Sequence, residues 1–411
     1  MFIEGGGVTS AKGFSAAGVH AGFRKNPERF DFALVVADEP CACAGAFTQN
    51  VFCAAPVVVS REHLEGVSYG IARAAAVNSG IANAATGERG MEAAREMARI
   101  VGDAAGCPAQ EVMVASTGVI GQHLPLGPFE TGVPLALEKL SREGGHDAAC
   151  AIMTTDTHPK EAAVSFTVDD PVYAGCTFTV GGMAKGSGMI MPNMATMISI
   201  LTTDAPIQAN VLHDALLRAV NVSFNKVTVD GDTSTNDTCL LFASGAAAPG
   251  AAPFAEGSAA FVAFEEALQA VCTNLARQMA ADGEGATRLV TVNVTGAAND
   301  ADADAAARTV ANSPLVKTAI TGHDANWGRI AGAIGRSGAR FNQEDVSIDI
   351  MGLPVCRDGM TVPFGEEEAL KRFEDPEIVL DIDLGAGDAK TTVWTCDFSH
   401  EYITINGDYR T

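Results

Sequence analysis

The stretch SAAFVAFEEALQAVCTNLARQMAADGEGATRLVTVNV, residues 258–294, sets a helix directly before a strand. Phe261, Phe264, Leu268, Val271, Cys272, Leu275 and Met279 recur at three- and four-residue spacing, the period of one helix face. Asp282-Gly283 ends that helix after Ala281. From Leu289 to Val294 apolar residues alternate with polar ones, the period of a strand. The same mixture recurs outward from this stretch. Phe32–Ala37 (FALVVA) reads as a buried strand, and residues 88–103 read as a helix presenting Met91, Ala94, Met97, Ala98 and Val101. Ile378–Leu384 and Thr391–Trp394 read as strands. Strands mixed with helices predict an α+β or mixed α/β fold rather than an all-β one. Residues 244–257, rich in Ala, Gly and Pro, predict a surface loop, and residues 298–304 lead into a helix.

The chain has 411 residues, 47% hydrophobic and 19% charged, which excludes a disordered protein. Its net charge of −23 repels phosphate backbones and anionic lipid, so neither nucleic acid nor a membrane surface is an expected partner. Ten scattered cysteines form no C-x-x-C pair, and Cys41-x-Cys43 has no second pair to complete a zinc site. They predict reduced, mostly buried thiols in a cytoplasmic protein. The first residues, MFIEGGGVTSAKGF, have neither the charged region nor the apolar region of a signal peptide.

The densest unusual segment is GGMAKGSGMIMPNMATMISILTTD, residues 181–204. Glycines surround Lys185, but Gly186 follows it where a phosphate-binding loop needs Ser or Thr, and Met191 takes the last place of G-x-G-x-x-G. Thr196 opens an apolar run to Leu201, which a threonine at the start of a strand also explains. A second cluster, VDGDTSTNDT at 229–238, lacks the spacing of a calcium loop and reads mainly as a turn whose side chains cap backbone groups. No Ser-His-Asp arrangement is readable, and His158 and His323 read as surface or hydrogen-bonded residues. An enzyme built on this chain needs a nucleophile that does not rely on histidine.

Taken together, these segments resemble the ornithine acetyltransferase family, the glutamate N-acetyltransferases of arginine biosynthesis. The resemblance runs nearly end to end. It covers AAGVHAGFR, AGAFTQN, NSGIANAATG, STGVIG, IMTTDT, GGMAKGSGM, PNMATM, VDGDTSTNDT, GEGAT, NSPLVKTA, NWGRI and the final N-x-DY-x-T, in that order. It implies sheets flanked by helices in a self-processing fold like that of β-aminopeptidases. It also implies cleavage between Ala195 and Thr196 into fragments 1–195 and 196–411. Thr196 would attack the Ala195 carbonyl, water would open the ester, and the freed α-amine would then serve as base to the same hydroxyl. The implied reaction is ping-pong, with N-acetylornithine giving acetyl to Thr196 and glutamate removing it. Acetyl-CoA is a second donor in some members. Thr117 and Gly118 match the family's oxyanion positions, and Thr154, Lys185, Thr196, Glu284, Asn406 and Thr411 match its substrate positions. By charge, Lys185 suits the α-carboxylate shared by both substrates and Glu284 suits the ornithine ammonium, with Asn406 and Thr411 fixing the remainder. No metal or cofactor is implied, and the fragments are expected as an α2β2 assembly. Ile81, Met191 and Ala325 depart from the family pattern without touching the nucleophile or the scissile bond. Three other readings compete: an amidase of the same fold with water as acceptor, a paralogue acetylating in a secondary pathway, and an uncleaved binding protein.

Overall fold

The computed structural model describes residues 1–191 and 197–408. Among them, one sheet comprises β1 (Phe14–Val19), β2 (Phe32–Phe47), β3 (Tyr69–Ile81), β4 (Val112–Val119), β5 (Lys160–Phe166), β6 (Phe178–Lys185), β7 (Ile198–Thr203) and β8 (Thr238–Ala243). Its order is β4-β3-β2-β8-β7-β6-β5, with β1 also beside β2. The β3–β4 and β7–β8 pairs are parallel and the other pairs antiparallel. A second sheet comprises β9 (Leu289–Ala297), β10 (Ser347–Ile350), β11 (Leu353–Arg357), β12 (Met360–Thr361), β13 (Glu377–Asp383) and β14 (Ala389–Cys396), in the order β12-β11-β10-β13-β9-β14.

Strand alternation dictates the layers. On β7, Ile198 and Ile200 join Met183, Leu240 and Phe242 in a core shared with Val35, Ala75 and Met113 and with the helix Gly145–Ile152. Leu201 points the other way, with Val180 and Leu241, against the helices Ala209–Val222 and Ala259–Ala281. The reverse face of β2–β4, with Leu34, Val36, Ala74, Ala76 and Val114, packs on the helices Gly87–Ala105 and Gly127–Lys139. Sheets flanked by helices are therefore the observed architecture, as the sequence pattern led us to expect.

Local chemistry sets the ends of the elements. The Ser258 hydroxyl accepts from the Phe261 N–H at 3.2 Å and starts the helix Ala259–Ala281. That helix fully buries Phe264 and Leu268, each worth about 1.5–3 kcal/mol. Gly106, at φ 71°, ends the helix Gly87–Ala105 in a left-handed turn. FALVVA is only the first part of β2. The strand continues through Cys41 to Phe47 after a register shift that leaves Asp38, Glu39 and Pro40 exposed. That polar interruption conceals the continuation in the sequence. Residues 244–257 carry no helix or strand, and 298–304 do lead into the helix Asp300–Ala311.

β6 and β7 pair antiparallel from Lys185↔Ile198 to Val180↔Thr203. β8 pairs with β2 on its far side, so β7 and β8 lie between β2 and β6. All ten cysteines are free and none is exposed. Among the described residues no helix is long and apolar enough to cross a membrane.

Candidate active site

β4 delivers Thr117 and Gly118 at its end, beside the parallel strand β3, where Ser79 pairs with Thr117 and Gly80 with Gly118. Gly118 has φ 129°, and a Cβ there would lie 2.2 Å from the Gly80 carbonyl carbon. Only glycine permits that approach and that backbone. The Asn236 amide ties this end down, donating to Ala82 O at 2.6 Å and Ser116 O at 2.8 Å. β6 delivers Lys185, whose Nζ lies 3.5 Å from Thr117 Oγ1.

A cleft of about 160 Å³ opens at these strand ends, lined by Thr117, Gly118, Thr154, Lys185, Glu284 and Asn406. The six residues come from five separate segments. Met197 also lines it. Ala195, Thr196 and Thr411 lie outside the described residues.

A buried ionic network supports the cleft. Lys160, with no exposed surface, donates to Asp156 Oδ1 at 2.7 Å and Asp282 Oδ2 at 2.5 Å. Asp156 also accepts from the Gly186 N–H at 2.7 Å and the Thr154 N–H at 2.9 Å. One carboxylate thus holds the backbone at two cleft segments. Burial works against the Asp156 charge, but Lys185 and Lys160 more than offset it and hold the carboxyl well below the usual carboxylate range. Burial lowers the Lys185 ammonium from its ordinary value, against the pull of Asp156. Glu284 receives the Asn406 amide at 2.8 Å, and its own N–H donates to Ser187 O at 2.9 Å. A Cβ on Gly188 would sit 2.4 Å from the Glu284 carboxyl carbon, so the glycine there makes room for that carboxylate.

VDGDTSTNDT caps backbone groups, as its composition suggests. Asp230 accepts from the Met189 and Ile190 N–H groups at 2.6 and 2.9 Å, and Thr233 Oγ1 donates to Met191 O at 3.0 Å. Its second half does more, because Ser234, Thr235, Asn236 and Asp237 line the cleft. The sequence reading missed this role. Three aspartates within ten residues were the available signal, but capping, which Asp230 does carry out, is an adequate explanation of such a pattern in the sequence. His158 reaches Asp282 at 3.4 Å from an exposed position and stays out of the cleft lining.

The ArgJ family model matches residues 15–411. The chain belongs to the ArgJ family. The arginine biosynthesis bifunctional protein ArgJ of Symbiobacterium thermophilum is 48% identical over 407 residues, 99% of each chain. The protein of the same name from Chlorobaculum tepidum is 48% identical over 399 residues, 97% of this chain and 96% of that one. A solved ArgJ chain from Bacillus halodurans is 43% identical and superposes with a TM-score of 0.50, covering 52% of this chain and 100% of its own length. As an ArgJ-family member, the protein is an acetyltransferase of arginine biosynthesis. The six residues gathered in its cleft are the described ones that matched the family's site positions in the sequence.

Proposed function

We propose that this ArgJ-family enzyme cuts itself between Ala195 and Thr196 and then moves acetyl from N-acetylornithine to glutamate through Thr196. The observation that carries the reading is the convergence of residues from 117 to 406 on one cleft that Met197, the residue directly after Thr196, also lines. The half-length of the solved Bacillus chain is in keeping with a chain divided near its middle.

The freed α-amine of Thr196, with an ordinary pKa of about 7.7–8.0, takes the Oγ proton as Oγ bonds to the acetyl carbonyl carbon. The Gly118 N–H and the Thr117 hydroxyl receive the oxyanion. The C–N bond to ornithine breaks, and the ammonium returns its proton to the departing nitrogen. Glutamate's amine then attacks the acetyl-threonine ester, and the same steps run in reverse. Lys185 holds the α-carboxylate common to both substrates, Glu284 meets the ornithine ammonium, and Thr154, Asn406 and Thr411 fix the rest. Acetyl-CoA serves as a second donor. The cytoplasm is its compartment, and two copies of each fragment form the working assembly.

The test is the denatured mass of freshly purified protein. Wild type should give fragments 1–195 and 196–411, and Thr196→Ala a single inactive chain. A cleaved Thr196→Ala protein overturns the assignment of the nucleophile.

A further inference from the structure

A second group of reactive side chains lies outside the cleft, around Cys150. The helix Gly145–Ile152 carries His146 and Cys150 four residues apart, so both fall on one face. His146 Nε2 lies 3.7 Å from Cys150 Sγ, within reach of a sulfur hydrogen bond. His146 Nδ1 lies 2.7 Å from Oε2 of Glu161, on β5. A carboxylate only accepts, so Nδ1 carries a hydrogen and the neutral ring turns its lone pair at Nε2 toward the thiol. The carboxylate is itself seated. The Gln278 amide donates to Glu161 O at 3.0 Å, and a Cβ on Gly7 would fall 2.5 Å from Glu161 Oε1. Any larger residue at position 7 would push that oxygen aside. Thiol, imidazole and carboxylate thus stand in the order of a nucleophile, its base and the group that orients the base.

Small reagents can reach this group. The His146 side chain is 66% exposed and Cys150 is half-buried. A cavity of about 730 Å³, bounded by Gly5, Gly6, Thr9, Arg142, His146 and Glu161, opens beside them. That is room for a small ligand. Burial first, and then the charges of Glu161 and Asp147, raise the thiol pKa, so the sulfur rests protonated. Such a sulfur is strongly nucleophilic once a base takes its proton, and His146 Nε2 is placed to do so. None of the three side chains is among those lining the cleft, but their helix ends two residues before Thr154, which is. Ala151 O accepts from Ser79 Oγ at 2.7 Å, and Ser79 pairs with Thr117 across β3 and β4. A Cβ on Gly18 would fall 1.9 Å from Asp147 O, so the helix has no room to yield toward β1. Bulk added at Cys150 is therefore passed along the helix to Ser79 and Thr154.

We propose that Cys150 is a thiol–disulfide exchange site, with His146 as base and Glu161 as the carboxylate that orients it, through which small disulfides restrain turnover. Sγ attacks one sulfur of the disulfide as the S–H proton passes to His146 Nε2. The new bond from Sγ forms as the S–S bond of the reagent breaks. The departing thiolate collects the proton from the imidazolium and leaves as a thiol. Cys150 is oxidised, the released half of the disulfide is reduced, and a further thiol reverses the exchange. Cys53 makes the contrast. It is also half-buried, but its sulfur faces the Ala54 carbonyl at 3.8 Å, a group that accepts a hydrogen bond and cannot carry a proton away.

The experiment treats the purified enzyme with glutathione disulfide and follows adducts by denatured mass and peptide mapping, with acetyl transfer measured alongside. Wild type should take up a glutathionyl group at Cys150, lose turnover in step with it and regain turnover with dithiothreitol. Cys150→Ser should keep the basal turnover and withstand the treatment. His146→Gln should be labelled at Cys150 about 10²-fold more slowly, the usual contribution of a general base. Its ring is exposed, so it should melt like wild type, which separates loss of the base from loss of structure. Glu161→Gln should slow the labelling by a smaller factor. Four results overturn the proposal: no adduct, labelling first at Cys53, Cys107 or Cys176, equal rates in wild type and His146→Gln, or a complete Cys150 adduct with turnover unchanged.

Discussion

The two sheets bury lysines for different purposes. Around the first, Lys160 and Lys185 sit among Asp156, Asp282 and Glu284, a network of opposite charges beneath a cleft. Against the second, Lys317 of the helix Pro314–Thr321 is just as buried, but neutral groups satisfy it: Thr395 Oγ1 at 2.7 Å, Cys396 O at 2.5 Å and the face of Phe398 at 5.0 Å. Among the described residues from 285 to 405, none lines the cleft. The second sheet supplies an apolar core, with Val290, Val292 and Val294 against Ala303, Ala307 and Val310. Through Phe398 it also anchors the helix His400–Asp408, which carries Asn406 to Glu284. Charge is buried beneath the cleft, and where only support is needed the same side chain is quieted by dipoles.

The sharpest way to break this contrast is Asp156→Ala. It strips Lys160 and Lys185 of their shared carboxylate and should cost about 3–5 kcal/mol in urea unfolding and abolish turnover. A small loss would mean that the network is not needed. The same residue predicts a pH effect. Because its carboxyl lies below the usual range in the fold, its contribution is present above the ordinary carboxylate pKa of about 4 and is lost as pH falls through and below that value. The difference in urea midpoint between wild type and Asp156→Asn should therefore shrink on acidification. Next in size, Lys185→Ala should raise KM for both substrates by about ten- to a hundredfold, the worth of a hydrogen bond to a charged group. Unchanged kinetics would remove Lys185 from the site. On the other side of the comparison, Lys317→Met should cost about 1–3 kcal/mol of stability with kcat within about twofold. A kinetic defect larger than the stability defect would show the second sheet taking part in chemistry. Smallest of all, Arg277→Ala removes an ion pair to Glu377, 2.7 Å long, that links the helix Ala259–Ala281 to β13. Both side chains are about one-third exposed, so thermal melting should register under about 1 kcal/mol.

The sequence disclosed this architecture unevenly, for physical reasons. The helix after Ser258 and strands β9, β13 and β14 were legible because one face or alternate side chains carry large apolar groups. β2 was legible only to Ala37, since its later residues are mostly Ala, Cys and Gly and carry little periodic signal. For the site, the matched motifs pointed to Thr117, Gly118, Thr154, Lys185, Glu284 and Asn406, and the fold brings all six together. Periodicity could not place them, because their convergence depends on the order in which strands enter the sheet. The Lys160–Asp156–Asp282 network was illegible for a related reason. Its members are 122 or more residues apart on one side and four apart on the other, and only the packed sheet makes them neighbours. Asp237 was hidden by its company, since a turn rich in Asp, Thr and Asn has an adequate explanation in capping alone.

The placement of β7 and β8 between β2 and β6 bears on what a cut after residue 195 does to the molecule. The two products would be interleaved, with a pair of strands from one clasped on both sides by strands of the other. Each clasp runs through six residue pairs, Ala42↔Ala243 to Phe47↔Thr238 on one flank and Val180↔Thr203 to Lys185↔Ile198 on the other. The halves cannot drift apart while folded, but once melted they must find each other again. Folding is first-order before the cut and second-order after it, so recovery from heat should depend on concentration in the processed enzyme alone. The mature protein would keep a shape that its own pieces could reach only together, as the remnant of a chain that folded whole.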